Sequence, residues 1–261
     1  MKTAAIRLIL FLMITERVFA GSLPVYPASE KPVQKIFEGE KLVYGIYYMG
    51  IRIGTATATV SDAGPPEVSD VYRITIEVES APWVDIIYKV RDIHHTEIDR
   101  KTLYPVRYEK NVSEGPRKVK NAVVFDQKTH HVVYQNDGQN TGEEYEIPPG
   151  TQDEVSCGYW FRTLEIQPGT SVYIPVHSDH QNWDLEVRIG EISEMEIDGI
   201  GSFTAVEVEP VMDFEGIFFR RGKIKGWMSL DERRIPLEMK VSIPVLGKIK
   251  ARLTEYHPGK N

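Results

Sequence analysis

From residue 71 to 79 the chain alternates with period two: Tyr72, Ile74, Ile76 and Val78 are apolar, while Arg73, Thr75, Glu77 and Glu79 are polar. That period sends successive side chains to opposite faces of a strand, one face toward a core and the other toward water. The same alternation returns in 185–189, 195–197, 237–243 and 249–253. Strands with one wet face belong to antiparallel sheets rather than to helix-covered parallel ones. Turn-forming clusters separate them, among them Asp126-Gln127-Lys128-Thr129, Asn136-Asp137-Gly138, Asp198-Gly199, Arg221-Gly222 and Leu246-Gly247. The pattern predicts an all-β fold, an antiparallel meander of ten or more strands curled into a barrel or half-barrel.

Two segments break the period. Pro148-Pro149-Gly150 precedes 151–166, which opens on a Thr151-x-x-Glu154 capping box and closes at Gln167-Pro168-Gly169. Val155, Tyr159, Trp160 and Leu164 can share one face, so an amphipathic helix of about four turns packed on the sheet is expected over 151–166. In 80–88, Ser80 can cap, Pro82 suits a first turn, and Trp83, Ile86 and Ile87 follow helical spacing. A short helix or apolar loop is expected there.

The first twenty residues read as an address. Lys2 and Arg7 make a positive start, Leu8 to Ile14 an apolar run, and Val18-Phe19-Ala20 supplies small residues before a cut at Gly21. The run falls short of the ~20 residues that span a bilayer. Export to a bacterial periplasm with cleavage near Ala20 is therefore expected, followed by a proline-rich linker over 21–35, one β-rich domain over 36–257 and a polar tail over 258–261. No later segment has the length and apolarity of a membrane span, so a soluble product is expected. Cys157 is the only cysteine, which excludes an internal disulfide and cysteine metal clusters. Without the leader, 28 basic residues face 37 acidic ones, a net charge of −9. An acidic chain disfavours nucleic acid as a partner.

Catalytic signatures are absent: no G-x-S-x-G, no H-E-x-x-H, no phosphate-cradling loop and no dinucleotide fingerprint occur. His94 and His95 are neighbours on a strand and point to opposite faces. His177-x-x-His180 has a spacing that could serve a metal with a third ligand from elsewhere, though histidines of a polar loop are more often simply hydrated. Cys157, beside Trp160, reads as a small buried hydrophobe rather than a nucleophile. The carboxylates Glu77, Glu79, Glu186, Glu196, Glu207 and Glu209 sit at alternating positions, the solvated face of a sheet. Neither an enzyme, a metal nor a cofactor is expected.

Apolar material outside the alternation points elsewhere. Trp83, Ile86, Ile87 and Tyr88 form one cluster, and Met212, Phe214, Ile217, Phe218 and Phe219 another. Gly54, Ala56 and Ala58 line one face of an early strand, leaving volume that bulk from Tyr44, Tyr48 or Trp160 would fill, or else a ligand. The expected function is a non-enzymatic binding protein holding an apolar or amphiphilic envelope component, or a peptide, on the concave face of its sheet. Its candidate ligand residues are Ala56, Ala58, Trp83, Ile87, Phe214 and Phe218. The alternative is a structural or interaction protein of the envelope with no small ligand.

Several stretches resemble a family of exported bacterial proteins known only as domain of unknown function 3108. They are 37–44 running into Gly50-Ile51-Arg52-Ile53-Gly54, Asp153-Glu154-Val155-Ser156 with Phe161-Arg162-Thr163-Leu164, Pro168-Gly169, and 201–210. Gly226-Trp227-Met228-Ser229-Leu230-Asp231 with Arg233-Arg234-Ile235-Pro236 completes the set. Cys157-Gly158-Tyr159-Trp160 departs from the more aliphatic residues expected there. The resemblance implies an envelope location and a curved β-sheet domain, and brings no catalytic residue. Within these motifs Asp231 could fix a turn with Arg233 or Arg234, and either arginine could hold an anionic headgroup at the barrel rim.

Overall fold

The computed structural model describes residues 36–62, 70–136, 138–211, 223–243 and 247–260. The first half comprises β1 (Lys41–Tyr48), β2 (Ile51–Asp62), β3 (Val71–Ser80), helix α1 (Pro82–Asp85), β4 (Arg91–Asp99), β5 (Pro105–Glu114), β6 (Arg117–Asp126), β7 (His131–Asn136) and β8 (Gln139–Glu146). Helix α2 (Ser156–Phe161) leads into β9 (Ser171–Ser178), β10 (Gln181–Ile197), β11 (Gly201–Val211), β12 (Lys223–Ser229), β13 (Pro236–Ile243) and β14 (Gly247–His257). These fourteen strands form one sheet in the order β8-β7-β6-β5-β4-β3-β2-β1-β14-β13-β12-β11-β10-β9. Each named pairing is antiparallel, and β14 returns to β1 with Ile46 opposite Ala251. The meander read from the alternation is the observed topology.

The two free edges of the sheet, β8 and β9, come from the middle of the chain. Among the described residues no ladder joins them. Instead, residue 152 bridges to β9: the Gln152 amide donates to Pro175 O (2.8 Å) and the His177 amide to Gln152 O (2.9 Å). The Asn182 side-chain amide donates to Glu146 O at 2.7 Å, tying β10 to β8. Register breaks at Val43/Tyr44, Ile46/Tyr47, Ile189/Ile192 and Trp227/Met228 add local twist, which curls a wide sheet. Two tight hairpins set registers: Met49 and Gly50 (φ 50° and 83°), and Asp179 and His180 (φ 46° and 67°). Positive φ at both central residues is the turn whose twist matches the flanking strands. His177, expected in a loop, is the penultimate residue of β9.

The connection from β8 to β9 does not lie on the outside. Val155 and Tyr159 pack with Ile74, Tyr108, Val123, Phe125 and Tyr134 from the first half of the sheet. Phe161 and Leu164 pack with Ile174, Leu185, Val187 and Val206 from the second. A segment that packs on both halves of the sheet is a core element, and its polar side chains Asp153, Ser156, Arg162 and Thr163 are buried with its apolar ones. Its helix is shorter than expected, six residues instead of the sixteen of 151–166. The capping box is also displaced. Thr151 Oγ1 donates to Pro148 O, while Asp153 Oδ1 accepts the amides of Val155 (2.7 Å) and Ser156 (2.8 Å). The Asp153 amide donates back to Ser156 Oγ at 2.8 Å. Glu154 is drawn away by Lys110, so the reciprocal cap forms two residues later than the Thr-x-x-Glu pattern suggests.

Trp160 is half-buried and touches both apolar clusters. Trp160→Ala should cost ~3 kcal/mol, the lower end of values for truncating a large aromatic in a core. Urea unfolding checks this, and a loss under ~1 kcal/mol would show that the residue does not anchor the two halves.

Candidate functional site

At one end of the sheet lies an open apolar cavity of about 230 Å³. Ile46 and Tyr48 of β1, Ile53 and Gly54 of β2, Val78 of β3, Trp83, Val84, Ile87 and Val90 around α1, and Ile249 of β14 line it. Gly54 is required there: a Cβ would stand 2.5 Å from Glu79 O, so the close approach of β2 and β3 admits no side chain. The wall formed by α1 is held by specific bonds. The Trp83 indole donates to Arg52 O (3.2 Å), and the Ala81 amide to Ile53 O (2.8 Å). Asp85 takes two bonds from Arg91 (2.6 and 3.1 Å) and one from Ser80 Oγ, which also accepts the Val90 amide at 2.8 Å. Those partners, Arg91 first and Ser80 second, hold the Asp85 carboxyl below its usual range. Ser80 thus locks the far side of the turn and makes no cap of α1.

The candidate ligand residues separate. Trp83 and Ile87 line the cavity and are half and three-quarters exposed (50% and 75%). Ala56 packs with Ile46, Val78 and Ile249 in the cluster behind it. Ala58 is buried in another cluster with Leu42, Leu237, Leu253 and Tyr44, so the chain's own side chains occupy the space beside it. Phe214 and Phe218 lie outside the described residues. Arg233 and Arg234 are at the opposite end, on the β12–β13 turn. The Arg233 guanidinium sits 4.5 Å from the Phe37 ring centre, and Arg234 adopts φ 48°. Asp231 fixes that turn through the Arg233 amide (3.0 Å) and Ser229 Oγ (2.8 Å) rather than through either guanidinium.

Sequence reasoning missed a buried polar network inside the curl. Lys110, 2% exposed, lies 3.0 Å from Glu154 and 2.5 Å from Asp179. Tyr108 donates to Glu154 (3.0 Å) and meets His94 Nδ1 at 2.6 Å, and Ser178 Oγ donates to Glu154 at 2.6 Å. Next to it, His177 pairs through Nδ1 with Asn182 Oδ1 (2.7 Å) and through Nε2 with Tyr134 (3.1 Å), and His180 stacks on Tyr134 at 4.0 Å. Both nitrogens of His177 are therefore spent, and among the described residues no group of three His, Cys, Asp or Glu is arranged for a metal. Burial pushes His94 and His177 down to about 4. Burial alone would raise Glu154, but Lys110 and Ser178 outweigh it and hold its carboxyl low. Burial raises Asp153 to about 6 and the Cys157 thiol to about 12, so Cys157 stays protonated and unreactive at neutral pH. The network joins β4, β5, the α2 segment and the β9–β10 turn. The signal was present in phase: Asp92, His94 and Thr96 share the inward face with Ile98.

A polar concavity of about 430 Å³ lies on the outer face of β4–β7, between His95, Arg107, Glu109, Lys120, Asn121 and Gln135. Arg107 bonds Glu109 (2.6 Å) and Gln135 (2.7 Å) across it, so its charge is already matched.

A wide antiparallel meander wrapped around its own crossover segment, with an apolar cavity at one end, defines a β-barrel-like protein. A crystal structure of a β-barrel-like protein of domain of unknown function DUF1849 from Brucella abortus has the same fold, with a TM-score of 0.58 at 10% identity over 87% of this chain and 100% of that one. The chain belongs to the family described as Protein of unknown function (DUF3108), which it matches over residues 43–254. A hypothetical protein from Chlamydia trachomatis aligns with a TM-score of 0.38 at 9% identity over 86% of this chain and 89% of that one. A Bacteroides fragilis protein with a YmcC-like fold reaches 0.34 at 9% identity over 87% and 99%. Scores that low do not establish a shared fold. No curated protein matches the sequence significantly.

Proposed function

We propose that the protein is an exported, non-enzymatic binding module of the bacterial envelope that takes up the apolar end of an amphiphile in the cavity beside α1. The observation that carries the reading is the open cavity of about 230 Å³ walled by aliphatic side chains, with Trp83 and Ile87 at its mouth. That volume exceeds the ~150 Å³ that holds benzene and is below the ~300 Å³ where drug-sized pockets begin. It suits a short alkyl or aryl end, each buried CH₂ contributing ~0.8 kcal/mol. The periplasmic location rests on the leader sequence, which lies outside the described residues. The filling of the sheet's interior by the α2 segment favours, as a second reading, an interaction protein with no small ligand.

Calorimetric titration of the purified full chain with a single-chain lysophospholipid tests the proposal. Saturable binding is expected, weakened about tenfold or more by Trp83→Gln with Ile87→Gln, since two anchoring side chains of this size contribute well over 1.4 kcal/mol. Both side chains are substantially exposed, so the unfolding midpoint should hold. Absence of binding by the unaltered chain, or undiminished binding by the double variant, would overturn the assignment.

A further inference from the structure

Large apolar side chains stand exposed beside the mouth of the cavity. Met49 (79% exposed) and Ile51 (60%) flank the β1–β2 hairpin, and Ile86 (87%) projects beside Trp83 and Ile87. The indole bond from Trp83 to Arg52 O sets the hairpin side next to α1, so these five exposed side chains lie at the same end of the sheet. None of Met49, Ile51 and Ile86 lines the cavity. Exposed apolar side chains gathered at one end, unlike ones scattered singly over a surface, point to a contact surface.

Charge identifies what the surface contacts. The chain carries −7 overall, yet exposed cations gather at this end: Arg52 next to Ile51, Lys89 after α1, Lys118 after the β5–β6 turn and Lys248 at the start of β14. The Gly115 amide donates to Lys89 O at 2.8 Å, which places the β5–β6 turn against α1. The acids nearby are largely matched, Asp85 by Arg91 and Glu114 by Arg117, leaving Glu79 exposed. Acidic residues gather instead on β8, where Glu143, Glu144 and Glu146 are exposed, and on β10, with Glu191, Glu194 and Glu196. A molecule charged in this way orients its basic, apolar end toward a negative surface.

We infer that this end is a membrane-docking face, seating the chain on an anionic bilayer with Trp83, Ile86, Ile87, Met49 and Ile51 at the headgroup boundary and Arg52, Lys89, Lys118 and Lys248 on the phosphates. Apolar side chains that enter the interface, together with basic residues that face anionic lipid, are the two components of reversible surface binding. The inference rests on the proposed function for its purpose, because docking would bring the cavity mouth to the lipid from which an amphiphile is taken. Trp83 and Ile87 belong to both, whereas Met49, Ile51, Ile86 and the four cations lie outside the cavity lining.

Vesicle co-sedimentation separates the two. The full chain should pellet with vesicles of phosphatidylcholine mixed with an equal amount of phosphatidylglycerol, and far less with phosphatidylcholine alone. Molar salt should release it. Met49→Ser with Ile86→Ser, and separately Arg52→Gln with Lys89→Gln, should each lower the vesicle partition coefficient about tenfold or more, while lysophospholipid uptake by the cavity persists. Equal binding to neutral and anionic vesicles, or no change in either double variant, overturns docking. So does failure to pellet at all, the result expected if this end serves a protein partner. Loss of lysophospholipid uptake with vesicle binding intact would instead overturn the cavity reading alone.

Discussion

Replacing Arg162 by methionine is expected to destabilise the protein by ~3–5 kcal/mol, the cost of leaving a buried charge without its partner. Glu40 is 1% exposed and receives both of its bonds from Arg162, each 2.7 Å, in the two-pronged geometry that a guanidinium offers a carboxylate. A third bond, from Arg162 Nη2 to Arg233 O at 2.9 Å, joins the α2 segment to the β12–β13 turn. The single variant loses all three and strands the carboxylate. Adding Glu40→Gln should recover a large part of the loss, because the charge that needed compensation is gone. Urea unfolding at neutral pH measures both. A single variant within ~1 kcal/mol of the parent, or a double variant no better than the single, would show that the pair does not secure the segment.

Acid should loosen the fold well above the pH where exposed carboxylates titrate. His94 and His177 are held at about 4 in the folded chain against 6.5 for an ordinary histidine. Above pH 6.5 both are neutral in either state and cost nothing. As pH falls from 6.5 to 4, the unfolded chain takes up two protons that the folded one refuses, so stability drops by ~3 kcal/mol for each ring. Asp153 acts in the opposite direction. Its carboxyl, raised to about 6 from 3.8, accepts a proton in the folded state first and returns ~3 kcal/mol over the lower part of that window. The net of these three groups is a loss of ~3 kcal/mol between pH 6.5 and 4. Glu154, held low, adds further loss as pH falls through its own folded value. The urea midpoint should therefore decline from pH 7 to 4.5, and His177→Gln, which keeps a polar group beside Asn182, should flatten the decline. A midpoint that stays level or rises on acidification would sink the account.

The strands were legible because their signal is local. In β3, Ile74 and Val78 are buried and Arg73 and Glu79 exposed, as the alternation of 71–79 requires, and no other part of the chain is needed to see it. On β4 the same rule marks no apolar face, because the inward residues Asp92, His94 and Thr96 are polar and Ile93 is not among them. The helix was legible as a break in period and not in length. Thr151-x-x-Glu154 has the form of a cap, but Glu154 gains more from Lys110, Tyr108 and Ser178 than from its own backbone. Those partners are tens of residues distant, so nothing near position 154 announces them. Trp83 and Ile87 stood out as apolar residues that no strand phase explains, and they line the cavity. Ala56 and Ala58 carried the same kind of signal, yet the space beside Ala58 is filled by Leu42, Leu237 and Tyr44.

The sequence by itself determined that this chain is an antiparallel β meander, that one segment interrupts it, and that apolar side chains are left over around α1, since period and turn chemistry act between residues a few positions apart. Only the tertiary structure decided that the interrupting segment lies inside the curl, that Lys110, Glu154, His94 and Asp179 meet there, and that Trp83 opens a cavity while Ala58 lies in filled core. Those outcomes depend on which strands become neighbours when β14 pairs with β1, and the energy of burying charge or leaving a void is set by groups that the chain brings together from far apart.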